Sequence, residues 1–340
     1  MPHLRFLIGN PTCLSLLDRH REWLESLGVE AVTHLATDGP SSGPLEVTCD
    51  AVIGPANWTL SLDDERQPEA HRLRVISLAS SGHEWVDLQS ATRRGIVVTY
   101  APIACLGEVV ADLTLGLLLA VARRIPEHHF RLQRGDATRG MGALVWGRVL
   151  GIVGLGNIGK KVAQRARGFE MRVLAVDTCP DREFCERYGV NVVGLDTLLE
   201  QSDFVSLHLR LDATTRGFIG ARELGLMKRT AYLINTARAE LVDENALADA
   251  VLAGRIAGAA LDDAPRGADR RLLHLPNVVF TPHIGNRVLE SADAVCRQAY
   301  TNALDILQGR MCESRYVLNP EILGGGRVDP SSAGWGESAG

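Results

Sequence analysis

The sequence has no apolar run long enough to cross a membrane and no paired cysteine motif. Its most apolar stretch, residues 113–122, is interrupted by Thr114 and Gly116 and falls short of the roughly 18–20 residues of a spanning helix. The N-terminus lacks a basic segment followed by a long apolar core, so no signal peptide is predicted. The seven cysteines are odd in number and none lies in a C-x-x-C pair, which favours reduced thiols in a cytoplasmic protein.

A strong charge of either sign is also absent. The net charge of −5 argues against nucleic acid or a membrane surface as partner. Charged residues make up 23% and hydrophobic residues 46% of the chain, the balance of a globular protein. A length of 340 residues favours two domains.

Short β-branched apolar segments alternate with helical patterns in both parts of the chain. In the first part, strands are predicted at 4–9, 51–54, 73–80 and 96–100 and a helix at 86–95. Thr12 is predicted to cap a helix that runs to Leu27 and is closed by Gly28. This alternation predicts an α/β fold with a doubly wound parallel sheet.

A long helical pattern over residues 107–125 precedes a second alternating segment. Six strands are predicted there, at 149–156, 172–177, 204–209, 231–235, 256–262 and 278–282. Six is the number of strands in a complete dinucleotide-binding sheet. A last helix over 288–307 would return the chain to the first domain, and the Gly- and Ser-rich residues 324–340 are predicted to be a disordered tail. The predicted domains are therefore 1–101 with 289–323, and 102–288.

A phosphate-binding turn is predicted between the first strand and first helix of the second domain. Residues 154–159, Gly-Leu-Gly-Asn-Ile-Gly, form a G-x-G-x-x-G motif that follows an apolar strand and opens a helix. Gly154 permits the tight turn, Gly156 lets the backbone approach a pyrophosphate, and Gly159 lets helix pack on strand. Asn157 and Ile158 begin the helix whose N-terminus favours phosphate.

Asp177 ends the next predicted strand, 18 residues after Gly159. An acid at this place accepts hydrogen bonds from a ribose 2′-OH and repels a 2′-phosphate. Thr178 and Cys179 follow it instead of arginine. The motif therefore predicts NAD(H) in preference to NADP(H).

Five segments, taken in their order along the chain, resemble the D-isomer-specific 2-hydroxyacid dehydrogenases. The resemblance is to the branch of the glyoxylate and hydroxypyruvate reductases. These segments are residues 80–102, 107–127, 149–177, 226–262 and TPHIG at 281–285. The resemblance implies two Rossmann-like domains, a flavodoxin-like substrate domain and an NAD-binding domain. It implies hydride transfer between NAD and a small D-2-hydroxy acid or 2-oxo acid.

The same resemblance implies roles for single residues. Arg238 matches the arginine that binds the substrate carboxylate, as a planar guanidinium can. His283 matches the general acid and base, a role suited to imidazole. Ser81 and Gly82 match a loop whose backbone N–H groups hold the same carboxylate. Residues matched to cofactor binding, besides the turn and Asp177, are His208, Thr215, Thr236, Ala237, Arg238, Asp262, His283 and Gly285.

The loop after Asp262 departs from the family pattern. It is about three residues short, and no glutamate lies between Asp262 and His283, where the family has one bonded to the histidine. The protonated imidazole then lacks a stabilising partner. Asp263 is the hypothetical replacement. Smaller departures are Arg210 in place of a proline and Ala239-Glu240 in place of a glycine pair.

Two other functions stay open at this stage. One is a dehydrogenase of a related small oxyanion, such as a hydroxyalkyl phosphonate. The other is a non-catalytic NAD(H)-sensing protein of the corepressor type, favoured by the missing glutamate and opposed by the presence of Arg238, His283 and Asp262. No metal site is predicted. The family suggests a homodimer, for which the apolar face of residues 109–122 is suitable, although a helix buried within one chain would look the same.

Overall fold

The structure is a computed structural model that describes residues 4–33, 49–54, 72–80, 86–101, 105–263, 270–310, 312–323 and 328–329. The strands are β1 (Leu4–Ile8), β2 (Val29–Thr33), β3 (Ala51–Gly54), β4 (Val75–Leu78), β5 (Val97–Tyr100), β6 (Val149–Val153), β7 (Arg172–Val176), β8 (Val190–Val192), β9 (Phe204–Leu207), β10 (Tyr232–Asn235), β11 (Gly258–Leu261), β12 (Val278–Phe280), β13 (Cys312–Glu313) and β14 (Val328–Asp329). The helices are α1 (Pro11–Ser15), α2 (Leu17–Ser26), α3 (Leu88–Arg93), α4 (Leu106–Ala122), α5 (Ile125–Gln133), α6 (Asn157–Ala166), α7 (Arg182–Tyr188), α8 (Leu195–Gln201), α9 (Ala221–Leu226), α10 (Glu244–Leu252) and α11 (Leu289–Leu307).

The chain divides into two units, one of Met1–Ala104 with Arg287–Ala339 and one of Cys105–Asn286. The first unit holds a parallel five-stranded sheet of order β2-β1-β3-β4-β5. This is the flavodoxin-like order, as predicted. α11 packs with α1 and α2 on one face, around Phe6, Ile53 and Tyr300, while Leu7 and Val98 face the other side.

The second unit holds a parallel seven-stranded sheet of order β12-β11-β10-β9-β6-β7-β8. Six of these strands are predicted from the sequence, namely β6, β7, β9, β10, β11 and β12. β8 is an additional strand at the edge of the sheet. α4 and α6 cover one face, with Leu118 and Val162 packed on Ile152, and Leu198 and Leu233 lie in the core on the other face. The prediction of a parallel, doubly wound α/β fold is confirmed for both units.

Two local predictions are wrong, and two strands are missed. Asn10, and not Thr12, caps the first helix, because its side chain accepts the backbone N–H groups of Thr12 and Cys13 and Pro11 occupies the first helical turn. That helix is interrupted at Leu16, so α1 and α2 are separate. The sequence pattern also fails to indicate the strands β2 and β8.

The predicted tail, 324–340, lies outside the described residues except for the two residues of β14. No helix in the described ranges is both long enough and apolar enough to span a bilayer.

Candidate active site

The glycine turn between β6 and α6 is closely packed at two of its three glycines. Gly154 has a φ of +94°, and a Cβ there would lie 2.8 Å from the His208 carbonyl oxygen. A Cβ at Gly159 would clash with the Gly154 carbonyl oxygen. Both positions therefore require glycine, one for its dihedral angle and one for helix packing.

The third glycine borders open space. A Cβ at Gly156 would meet nothing within 4 Å, and Gly156 and Asn157 are exposed. Gly156 is the N-cap of α6, and it supplies no side-chain hydrogen bond to the first turn. A helix N-terminus with free N–H groups beside an open glycine fits a pyrophosphate. Asn157, half-buried Ile158 and Gly159 form the first turn that would face it.

Asp177 follows β7 and connects two parts of this site. Its carboxylate accepts the backbone N–H of Leu155 at 2.6 Å and that of Cys179 at 2.8 Å. The carboxylate is thereby held beside the glycine turn, in half-buried surroundings. This is the position from which an acid can accept a ribose hydroxyl.

Arg238 lies in a turn that Asn235 closes at the end of β10. The Asn235 amide donates to the Arg238 carbonyl oxygen at 2.7 Å and accepts the Ala237 N–H at 3.0 Å. The Arg238 guanidinium donates to the Ala237 carbonyl oxygen at 2.9 Å and is half-buried. No carboxylate among the described residues pairs with it. Its charge is thus available to an anion from solution.

Thr236, in the same turn, is joined to α4. Its hydroxyl lies 2.8 Å from that of Thr114, which donates to the Val110 carbonyl oxygen at 2.8 Å. Thr236 is buried and Ala237 is half-buried. Sequence reasoning missed Thr114 and Asn235, and the only signal was a polar residue inside otherwise apolar segments.

Asp262 follows β11 and organises the loop that carries His283. The buried carboxylate accepts the Thr281 hydroxyl at 2.6 Å and the N–H groups of Ile284 and Gly285, each at 2.8 Å. His283 has a φ of +55°, in the left-handed region that is costly for a non-glycine residue. Three hydrogen bonds to one carboxylate hold the backbone on both sides of that residue.

His283 and Asp263 lie close together. His283 Nδ1 is 3.9 Å from Asp263 Oδ2, and the histidine side chain is 51% exposed while that of the aspartate is 16% exposed. The separation exceeds a hydrogen bond but is within ion-pair range. Arg238, Asp262 and Asp263 line one cavity, together with Asn235, Leu261 and Phe280.

His208 lies at the end of β9, beside the glycine turn. Its Nε2 is 2.8 Å from the Ser206 hydroxyl, and Nδ1 is buried with no hydrogen-bond partner among the described residues. Burial lowers the pKa of His208 to about 3, so the ring is neutral near pH 7. Thr215 donates to the carbonyl oxygen of the exposed Arg210 at 2.7 Å and closes the following loop.

The sequence predicts three further site residues, Gly285, Ser81 and Gly82. Gly285 lies against Asp262, and a Cβ there would be 3.1 Å from Asp262 Oδ2. Ser81 and Gly82 lie outside the described residues. In the part of the chain that the structure describes, no three His, Cys, Asp or Glu side chains cluster as metal ligands.

A family model described as D-isomer specific 2-hydroxyacid dehydrogenase, NAD binding domain, matches residues 115–285. A glyoxylate reductase of Korarchaeum cryptofilum is 39% identical over 284 residues, which are 81% of this chain and 84% of that protein. The chain belongs to the D-isomer-specific 2-hydroxyacid dehydrogenase family.

Two solved structures agree with this dehydrogenase fold. The TT0316 protein from Thermus thermophilus is 36% identical with a TM-score of 0.78, covering 93% of this chain and 100% of that one. D-lactate dehydrogenase with NAD⁺ from Lactobacillus jensenii is 25% identical with a TM-score of 0.76, covering 93% and 99%. This dehydrogenase is therefore an NAD-dependent oxidoreductase of hydroxy and oxo acids.

Proposed function

We propose that the enzyme reduces a small 2-oxo acid to the D-2-hydroxy acid with NADH, and that glyoxylate or hydroxypyruvate is the substrate class. The proposal rests chiefly on Arg238, a half-buried cation that no described carboxylate neutralises, in one cavity with Asp262 and Asp263. The relative from Korarchaeum cryptofilum, a glyoxylate reductase, supports the choice of substrate.

NADH, when bound, supplies a hydride from nicotinamide C4 to the carbonyl carbon of the substrate. Arg238 binds the substrate carboxylate and polarises the ketone, and Ser81 and Gly82 are assigned to substrate binding by the family resemblance alone. His283 donates a proton to the carbonyl oxygen, which becomes the hydroxyl. One proton is consumed in each reduction, and oxidation of the hydroxy acid returns it to the imidazole.

The residues assigned to the cofactor fall into groups according to the part of NAD that each would contact. The turn of Gly154, Gly156, Asn157, Ile158 and Gly159 would hold the pyrophosphate, and Asp177 the adenosine ribose. His208 and Thr215 would lie on the adenine and pyrophosphate side. The nicotinamide end is assigned to Thr236, Ala237, Arg238, Asp262, His283 and Gly285.

The test is a substrate screen by NADH absorbance. The panel holds 2-oxo acids, D-2-hydroxy acids and hydroxyalkyl or oxoalkyl phosphonates, with His283→Ala and Arg238→Gln as variants. Turnover of glyoxylate or hydroxypyruvate that falls at least about 100-fold in both variants supports the proposal. Turnover of a phosphonate alone, or of carboxylates undiminished in both variants, contradicts it.

Asp263 is proposed as the partner of His283. The Asp263 carboxylate oxygen Oδ2 lies 3.9 Å from the imidazole Nδ1, near enough for its charge to orient the ring for proton transfer. Asp263→Asn removes the charge and keeps the size, so kcat for reduction should fall about 10-fold and the pH–rate profile should differ from that of the parent enzyme. The readout is the pH–rate profile. The control is Asp249→Asn, which changes an exposed side chain on α10. An unchanged profile would leave Asp263 without this role.

A homodimer is proposed, with a surface other than the one expected from the sequence. The apolar face of α4 is buried within its own chain. Its buried side chains include Val110, Leu115, Leu118 and Val121. Six exposed apolar side chains follow α4 in the chain, and they are Ile125, Phe130, Leu132, Met141, Leu144 and Trp146. Exposed apolar residues concentrated in one segment favour an interaction surface there. Light scattering should report a dimer that Phe130→Asp converts to a monomer.

The domain limits 1–101 with 289–323 and 102–288 are proposed as the substrate and NAD-binding domains. A cytoplasmic location is proposed because the cysteines carry no secretory disulfide pattern. The net charge of −5 supports a small anionic substrate bound locally at Arg238 rather than a nucleic-acid partner.

A further inference from the structure

Two buried thiols lie in contact in the first unit, and neither belongs to a residue assigned to the reaction. Cys13, on α1, donates to Cys296 Sγ, on α11, at a sulfur–sulfur distance of 2.8 Å. Both residues are fully buried, and 283 positions separate them in the sequence. No other cysteine pair in the described ranges makes such a contact.

The surroundings of the pair keep the Cys13 thiol protonated. Both thiols pack in the core formed by α11, α1 and the sheet, beside the fully buried Tyr300. The hydrogen bond to Cys296 and burial raise the pKa of Cys13 far above that of a free thiol. Burial likewise raises the pKa of Tyr300, and it lowers that of the neighbouring His20. Oxidation therefore requires local opening of the structure around the pair, since the folded protein holds no thiolate at Cys13.

The backbone on each side holds the two sulfur atoms in place. Asn10 accepts the N–H of Cys13 at 3.0 Å and so fixes the start of α1. Arg287, just before α11, donates to the Thr12 hydroxyl at 3.1 Å. A disulfide bond is about 2.05 Å long, so the sulfurs need to approach by about 0.8 Å. Side-chain rotation can supply a movement of this size.

We propose that Cys13 and Cys296 form a reversible disulfide that covalently joins α1 to α11. Each thiol loses one hydrogen atom, one S–S bond forms, and the two protons and two electrons pass to a hydroperoxide, whose O–O bond breaks; hydrogen peroxide gives two waters. The bond closes a chain segment of 283 residues, a length for which loss of unfolded-state entropy is large. Resistance to unfolding thus depends on redox state. The inference does not rest on the proposed substrate.

The test uses the full chain with Cys179→Ser, since Cys179 is the one exposed cysteine among the described residues. After hydrogen peroxide treatment, the intact mass should fall by two hydrogens, and digestion without reductant should yield one linked pair of peptides containing residues 13 and 296. The unfolding midpoint should rise by about 5 °C or more and return after phosphine reduction. Peptide mapping needs no substitution at either cysteine, so it remains decisive if variants fold poorly.

Cysteine variants show which residues are responsible for the linked peptide and for the rise in the unfolding midpoint. Cys13→Ser and Cys296→Ser should each abolish the linked peptide and the rise in midpoint. Cys49→Ser, at a buried cysteine of the same unit with no thiol neighbour among the described residues, should preserve both. Two free thiols at 13 and 296 after peroxide has oxidised a reference peptide dithiol would overturn the proposal. Linkage of either one to a different cysteine would also overturn it.

Discussion

At the scale of single residues, Asp262 does more than its family position implied. The resemblance assigns it to the nicotinamide end of the cofactor, yet its carboxylate already accepts three hydrogen bonds from residues 281–285. Those bonds maintain a left-handed backbone at His283. A residue in that conformation costs on the order of 1–3 kcal/mol and persists only where its surroundings fix it. Asp262 is thus a positioning residue for His283.

Thr281→Val tests this role without altering Asp262. It removes the single hydroxyl bond at 2.6 Å and keeps the side-chain shape. A hydrogen bond to a charged group contributes about 1.5–3 kcal/mol, so kcat should fall about 10- to 100-fold. Thr281→Ser retains the hydroxyl and should restore most of the rate, and the KM for NADH should stay nearly constant. Equal rates in the valine and serine variants would show that the hydroxyl does not position the loop.

His208 gives a prediction on stability against pH. Its pKa is about 3 in the folded protein and about 6.5 when unfolded. Below pH 6.5 the unfolded chain binds a proton that the folded protein does not, so stability falls as the pH drops from 6.5 toward 3. The loss is about 1.4 kcal/mol per pH unit, or about 2 kcal/mol at pH 5. Urea unfolding should show this slope. His208→Gln should show a smaller slope, and the remainder comes in part from His20, whose pKa is also lowered by burial. The exposed His129→Gln should keep the full slope.

At the scale of elements, the β6–α6 turn separates two uses of glycine. Gly159 is needed for packing, since a Cβ there would clash with a backbone carbonyl oxygen. Gly156 is not needed for packing, since a Cβ there meets nothing within 4 Å. The same motif thus contains one glycine required by the fold and one required only by a ligand.

Alanine variants should show that difference. Gly159→Ala should lower the free energy of unfolding by about 1–3 kcal/mol and abolish NADH binding. Gly156→Ala should unfold like the parent but bind NADH at least about 10-fold more weakly, because the methyl group occupies the approach of the pyrophosphate. Gly168→Ala, also in open space, is the matched control. Urea unfolding and NADH fluorescence titration measure both quantities, and parental NADH affinity in Gly156→Ala would contradict the assignment.

Most strands that the sequence predicted contain a buried apolar run, whereas β2 and β8, which it missed, lie at sheet edges. β8 has only three residues, of which Asn191 and Val192 are exposed, and β2 contains the exposed Glu30. Edge strands are fixed by pairing with a neighbour, which no local pattern reveals. The motifs could likewise indicate Arg238 and His283, whereas the bond from Thr281 to Asp262 depends on two neighbouring strands whose ends the sheet brings together.

At the scale of the whole molecule, binding of cofactor should stabilise the fold by mass action. A ligand at 100 times its Kd adds about 2.7 kcal/mol to the free energy of unfolding. NADH should therefore raise the unfolding midpoint by several degrees, and NADPH at the same concentration should not, because Asp177 repels a 2′-phosphate. Asp177→Asn should narrow this difference between the cofactors. Equal shifts with NADH and NADPH in the parent enzyme would exclude discrimination by Asp177.

The discontinuous first unit has a consequence for protein synthesis. Its sheet comes from the first 104 residues, but α11, which supplies Tyr300 and Ala299 to its core, is translated only after the second unit. The 182 residues from 105 to 286 are made in between, which takes roughly 10–40 s at the usual rates of elongation. Throughout that interval the nascent sheet carries an uncovered apolar face. The intervening unit has all its strands in one continuous segment and can fold first, so the order of folding on the ribosome runs opposite to the order of the sequence.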